Sequence, residues 1–497
     1  MKFKRSAGIL LHPSSLPGPY GIGDIGPAAH KWLDFLAQSD CSLWQILPLG
    51  PTGYGDSPYQ CFSAFAGNPY LISPDRLIED GLLQSDDLVD LPSFPLHQVD
   101  FGALIPWKLT MLDVAFQRFE TGASDELHST LNAFQNAHAS WLDDFALFMA
   151  LKEEHGGASW VTWAPPLRDR HPSALEEARS RLATTIRSQI FRQFIFFQQW
   201  NEVRLKAARL GIQIIGDIPI FVAHDSADVW AHAELFYLDQ TGWPTVVSGV
   251  PPDYFSPTGQ LWGNPLYRWD VHRENGYVWW LERFRAVLSL VDIVRLDHFR
   301  GFVQSWQVSA KEKTAINGQW GNGPGAHFFE TLLSNLNALP IIAEDLGIIT
   351  DDVIELRDRF NLPGMKILLF AFQFEPRYLP HRYTTTNCVV YTGTHDNDTI
   401  RGWYERVEEN ERAFYRQYLD RDGSQVNWDL IRACWSSIGF FSLAPMQDFL
   451  GLGNEARMNY PGNPSGNWSW RMSEGALTDE LCEHIRELNY LYSRKNE

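Results

Sequence analysis

Short apolar runs, each closed by polar residues, recur along the chain. They are Gly8 to His12, Leu43 to Pro48, Ile212 to Asp217, Asp292 to Asp297, Ile341 to Asp345, Met365 to Phe370, Cys388 to Tyr391 and Ile438 to Leu443. Runs of four to eight apolar residues without polar alternation read as strands covered on both faces, the habit of parallel sheets. Between them the apolar spacing changes to that of helices. Ala28 to Ala37 carries Trp32, Leu33, Phe35 and Leu36, and Phe191 to Leu210 sets Phe194, Phe197, Trp200 and Val203 on one side. The second run ends at Gly211, a residue type that tolerates the left-handed conformation closing many helices. Eight strands alternating with helices predict an α/β fold, a (β/α)8 TIM barrel spanning residues 1–497 as one catalytic domain.

Two gaps between strands are long. Residues 70–190 open with the proline-rich stretch Leu91 to Pro95 and continue as helix-like sequence, which predicts an inserted, mostly helical subdomain over the C-terminal rim. Residues 223–290 form a second insertion, carrying a Pro- and Gly-punctuated loop from Gly249 to Pro265 in which Tyr254, Phe255 and Trp262 stand. That loop is expected to fold over the cleft and keep water out of it. A surface loop whose aromatics pack on the barrel is the alternative. The glycine-rich Gly321 to Gly325 lacks the Lys-Ser/Thr of a phosphate loop and reads as a turn.

Three carboxylates sit where apolar runs end: Asp297, Glu344 and Asp396, separated by 344 − 297 = 47 and 396 − 344 = 52 residues. Each interval accommodates a helix and the next strand, so the acids converge on the rim where barrel active sites form. Cleavage of an acetal between sugars needs a proton donor for the leaving oxygen and a carboxylate at the anomeric carbon. In Arg295-Leu296-Asp297, strand alternation puts Arg295 and Asp297 on one face, where the guanidinium keeps the acid ionised as a nucleophile requires. Glu344 is then the acid/base candidate, raised by burial and neighbouring anions. An enolase-like magnesium site on Asp217, Asp297 and Glu344 competes, but it leaves Arg295 unexplained. His395-Asp396 and Asp297-His298 lack the clustered spacing of a zinc site, so no metal or other cofactor is expected.

Composition narrows the partners. The formal charge of −19 disfavours nucleic acid and anionic membranes, which leaves a neutral ligand. The chain holds 20 Trp, 17 Tyr and 31 Phe, and their flat rings suit the apolar faces of sugars, although most are expected in the core. Cys41, Cys61, Cys388, Cys434 and Cys482 are odd in number and lack CxxC spacing, which predicts a reducing, cytoplasmic setting. The basic start, Met1 to Ser6, leads into a strand rather than a sustained apolar segment, so no signal peptide is expected and the chain begins at the barrel. No run approaches the ~18 apolar residues of a membrane span. Asn467-Trp468-Ser469 matches a glycosylation acceptor without a secretion signal beside it.

The segments Ile9 to Pro17, Trp44 to Leu49, Gly55 to Gln60, Gly216 to Val222, Gly249 to Pro265, Arg295 to Gly301, Ala343 to Gly347, Gly393 to Asn397 and Arg457 to Gly462 together resemble the 4-α-glucanotransferases. These amylomaltases or disproportionating enzymes are a branch of the α-amylase superfamily. The resemblance implies transfer of α-1,4-glucan segments to glucose or another glucan, with retention, through a glycosyl-enzyme intermediate. It implies Asp297 as nucleophile, Glu344 as acid/base and Asp396 as transition-state stabiliser. Arg295 would position the nucleophile, His395 and Asp217 would hold donor hydroxyls, Tyr59 would stack on the donor ring, and Tyr254, Phe255 and Trp262 would line the acceptor side. His298 and Asn459 complete the expected substrate-binding set. Where typical α-amylases carry Asn-His in a calcium-linked strand end, this chain has Phe221-Val222, which removes the expectation of calcium.

Overall fold

The apolar runs become eight parallel strands of one closed barrel. A computed structural model describes residues 3–252, 256–373 and 375–495. Numbered with all strands in chain order, the barrel strands are β1 (Ser6–Leu10), β2 (Leu43–Gln45), β3 (Gln213–Ile218), β6 (Ile293–Leu296), β9 (Ile341–Ala343), β10 (Gly364–Ile367), β11 (Cys388–Tyr391) and β12 (Phe441–Pro445). Neighbours follow in that order, and β12 pairs with β1 to close the ring. The strands are buried almost throughout, so an apolar run without alternation is what this position selects.

The expected strand at Met365 to Phe370 stops at Ile367, where the chain turns into a short helix, Leu368–Gln373. The last strand lies later than expected. Ile438 is 44% exposed in the approach to β12, and the Ser437 and Gly439 carbonyls there accept hydrogen bonds from Arg494. The helix expected from Phe191 begins earlier and runs Ala183–Arg209, followed by Gly211 at φ 71°. Its inner half packs on the barrel, with Trp200 against Trp44 and donating from Nε1 to the Leu290 carbonyl at 2.9 Å. Helices Phe101–Gly122, Asp125–Ala137 and Ala139–Glu154 pack along it. Buried Gln193 and Gln199 each exchange a pair of hydrogen bonds with the backbone of Gly67 and Ser73, satisfying a loop that no sheet reaches. Gly67 is required there, because a Cβ would lie 1.9 Å from Phe196.

A second sheet was not visible in the hydrophobic pattern. β4 (Val246–Val250), β5 (Gln260–Pro265), β7 (Gln304–Ser309) and β8 (Gly318–Asn322) pair antiparallel in the order β5-β4-β7-β8. One hairpin follows β3 and the other follows β6, so the sheet joins two loops at the C-terminal rim. Its own core is small, Val247, Val308 and Ala315 with Trp306 against them. Gly321, expected in a turn, belongs to β8, and Gly325 opens helix Gly325–Leu336. Among the described residues no helix is long and apolar enough to cross a membrane.

Candidate active site

Asp297, Glu344 and Asp396 stand at the C-terminal ends of β6, β9 and β11, and backbone bonds fix two of them. The Asp297 N–H donates to the Ile218 carbonyl and the Glu344 N–H to the Leu296 carbonyl, extending the ladder one residue past each strand. The chain then turns sharply. His298 adopts φ 52°, uncommon for a residue with a Cβ, and its backbone N–H donates to Glu344 Oε2 at 2.7 Å. The Leu346 N–H takes the other oxygen at 3.1 Å.

Arg295 organises the opposite side. Its Nε and Nη2 clasp both oxygens of Asp217, the residue beside it on β3, at 2.8 and 2.6 Å. Nη2 also reaches Asp297 Oδ1 at 2.9 Å and the Tyr59 hydroxyl at 3.2 Å, while that hydroxyl donates to Asp217 Oδ2 at 2.6 Å. Asp217 is fully enclosed, and its oxygens are committed to Arg295 and Tyr59. Its geometry serves the guanidinium. Among the described residues no group of three or more His, Cys, Asp or Glu side chains is placed to hold a metal ion.

These surroundings divide the acids. Burial, then the charge of Asp297, pushes Glu344 up to about 8, against the pull of Arg295 and the His298 N–H. Burial also raises Asp297, and Asp217 and Asp396 add to the rise, but Arg295 opposes it at direct contact. Direct contact with Arg295 favours the ionised form of Asp297, whereas burial favours the neutral form of Glu344. The side chain of Asp297 is 31% exposed and that of Asp396 48%, so both are open to a ligand.

Asp396 lies on a loop held by its neighbours. Asn459 Nδ2 donates to Asp396 Oδ1 at 2.6 Å, and Arg457 Nη2 to the Asp396 carbonyl at 2.7 Å. His395 Nε2 stands 3.4 Å from the same Oδ1, and its ring stacks on Tyr59 with centroids 5.1 Å apart. Trp262, on β5, meets the His298 ring edge-on at 4.9 Å. Burial holds that imidazole neutral, down to about 4. Tyr254 and Phe255 lie outside the described residues.

Several supporting residues escaped the sequence reading. Asp345 accepts from Arg357 and from the Met365 N–H at 2.7 Å, tying the Glu344 loop to β10. Asp448 accepts from the Thr392 hydroxyl and the Ile400 N–H, both at 2.8 Å, below the Asp396 loop. Trp468 packs beside Tyr59 and His395. The glycosylation-like tripeptide is accordingly internal: Asn467 donates to the Asn463 carbonyl and accepts the Tyr460 N–H. Only the adjacency of Asp345 to Glu344 signalled any of these in the sequence.

A model of the 4-alpha-glucanotransferase family matches residues 11–478. A 4-alpha-glucanotransferase of Thermus thermophilus is 50% identical, covering 98% of this chain and 99% of that protein. The chloroplastic/amyloplastic 4-alpha-glucanotransferase of Solanum tuberosum is 44% identical, over 99% of this chain and 87% of its own length. Among solved structures, the amylomaltase of Streptococcus agalactiae in complex with acarbose superposes with a TM-score of 0.96 at 38% identity, covering 99% of this chain and all of that one. The resemblance and the barrel fold read from the sequence are both borne out, and the chain belongs to the 4-alpha-glucanotransferase family.

Proposed function

We propose that the chain is a 4-α-glucanotransferase that transfers α-1,4-glucan segments to glucose or another glucan by double displacement with retention. The observation that carries this reading is the division of labour between two carboxyls: Asp297 in contact with Arg295, Glu344 pushed up to about 8. In the first step Glu344 gives its proton to the glycosidic oxygen while Asp297 attacks the anomeric carbon. The bond from that carbon to the leaving oxygen breaks, the leaving glucan departs with a free 4-hydroxyl, and a glycosyl ester of Asp297 remains. Glu344, now a carboxylate, takes the proton of an acceptor 4-hydroxyl as that oxygen displaces Asp297, and two inversions give net retention. Asp396, oriented by Asn459, faces the oxocarbenium-like charge of both transition states.

Sugar acceptors must outcompete ~55 M water, which requires a positioned acceptor and a dry intermediate. We assign that part to the small sheet and its loop, with Trp262 on the acceptor side, and the cleft's other flank to the helical insertion of residues 70–190. The five unpaired cysteines are consistent with a cytoplasmic setting. Incubation with maltotriose tests the whole reading. A ladder of longer maltooligosaccharides plus glucose is expected; glucose and maltose alone would mean a hydrolase, binding without products a lectin-like protein, and loss of activity with chelator a magnesium enzyme.

A further inference from the structure

Behind the Asp396 loop lies a cavity of about 30 Å³, room for one or two water molecules, lined in part by His12, Leu47, Thr394, His395 and Gln447. The Nδ1 of His395 is buried with no hydrogen-bond partner, while its Nε2 is directed at Asp396 Oδ1. An imidazole's tautomer is set by the bond its other nitrogen makes, so what meets Nδ1 decides whether Nε2 carries the hydrogen. His12 follows β1, and its Nδ1 accepts the Leu47 backbone N–H at 3.2 Å. A neutral ring that accepts at Nδ1 carries its hydrogen at Nε2. Burial, then the proximity of His395, holds His12 neutral, down to about 3. Three of the other polar side chains lining the cavity make bonds of their own: Ser15 donates to the Trp470 carbonyl, Thr394 to Asn397, and Gln447 to the Ala456 carbonyl.

We propose that His12 is a positioning residue for the transfer reaction: its Nε2–H, through a water molecule held in this cavity, supplies the hydrogen bond that His395 Nδ1 accepts. His395 is thereby fixed as the tautomer whose Nε2–H points at Asp396 and at a donor hydroxyl, with its ring face kept flat on Tyr59. This rests on the reading of His395 as a substrate-binding residue of a glucanotransferase.

Two substitutions separate positioning from structure. His12→Asn keeps an oxygen where Nδ1 accepts the Leu47 N–H but has no donor on the cavity side. His12→Gln places an amide N–H near the position of Nε2. In histidine ¹⁵N–¹H spectra of the wild type, His395 is expected as the Nε2–H tautomer. His12→Asn should give mixed tautomers at His395 and lower kcat/KM for maltotriose about tenfold, the scale of one lost hydrogen bond. His12→Gln should restore the tautomer and recover most of the lost rate. The proposal is overturned if wild-type His395 carries its hydrogen on Nδ1, if His12→Asn leaves tautomer and rate unchanged, or if the Gln variant fares no better than the Asn. Absence of any maltooligosaccharide ladder from the wild type would instead defeat the glucanotransferase reading, and the spectra would still report on His12.

Discussion

At the scale of single residues, Glu344 has to exist in two protonation states within one turnover, and its surroundings set when each is available. Its folded value near 8 means the proton needed for the first step is present at neutral pH and is lost as pH rises through that value. The kcat/KM for maltooligosaccharides is therefore expected to fall on the alkaline side of about pH 8. Glu344→Gln should abolish transfer from natural donors yet still form the glycosyl-enzyme from an α-glucosyl fluoride, whose leaving group needs little protonation. That reaction should lack the alkaline fall. If both donors lose rate equally, Glu344 is not the acid/base. Asp297→Asn should lower turnover by at least ~10³-fold with thermal unfolding unchanged, and wild-type products should retain the anomeric configuration, which corresponds to carboxyls ~5 Å apart. Inverted products would refute the covalent step.

At the scale of elements, the rim sheet is a device the barrel alone does not contain. β5 presents Trp262 to His298, whose backbone N–H holds Glu344, so one hairpin touches the residue that orients the proposed acid/base. Arg300 reinforces this, its guanidinium 3.8 Å from the centre of the Trp320 ring on β8 while it donates to the Ile348 carbonyl in the loop after Glu344. Trp262→Ala should raise the ratio of reducing ends released to glucan chains transferred, because water gains access before an acceptor is seated. The two quantities can be measured in one incubation. An unchanged ratio with a sharply lowered melting temperature would make Trp262 a packing residue only.

Across the whole molecule, the two ends of the chain lock the barrel at the end opposite the active site. Arg494, fully buried, donates to the carbonyls of Trp435, Ser6, Phe440, Ser437 and Gly439, spanning the starts of β1 and β12. Arg5 adds bonds to the Tyr492, Gly439 and Trp435 carbonyls. Closing the sheet between its first and last strands pairs Ser6 with Phe441, 441 − 6 = 435 residues apart, and these guanidinium bonds secure that seam. Arg494→Met keeps the apolar stem but strands several carbonyls, so it should lower unfolding free energy by about 2–4 kcal/mol in denaturant titration with little change in kcat. Loss of activity without loss of stability would contradict the assignment of the seam to stability alone.

The sequence by itself determined the barrel and the position of its three acids, because burial on both faces forces continuous apolar strands and the polar residues that follow each strand fall at the rim. It also determined the pairing of Arg295 with Asp297, since alternation along one strand is a local rule. What only the tertiary structure decided was everything built from residues distant in the chain. Asp217 proved committed to Arg295 and Tyr59 because β3 and β6 are neighbours in register. The rim sheet draws its strands from two separate loops, and short strands with half-exposed faces leave no periodic signal. Trp468, hidden in a tripeptide that reads as a surface acceptor, packs against Tyr59 and His395 because the loop after β12 folds back over the Asp396 loop. Hydrophobic period reports which face of an element is buried, whereas the partners of a polar side chain follow from three-dimensional proximity, and that is fixed only when the chain closes on itself.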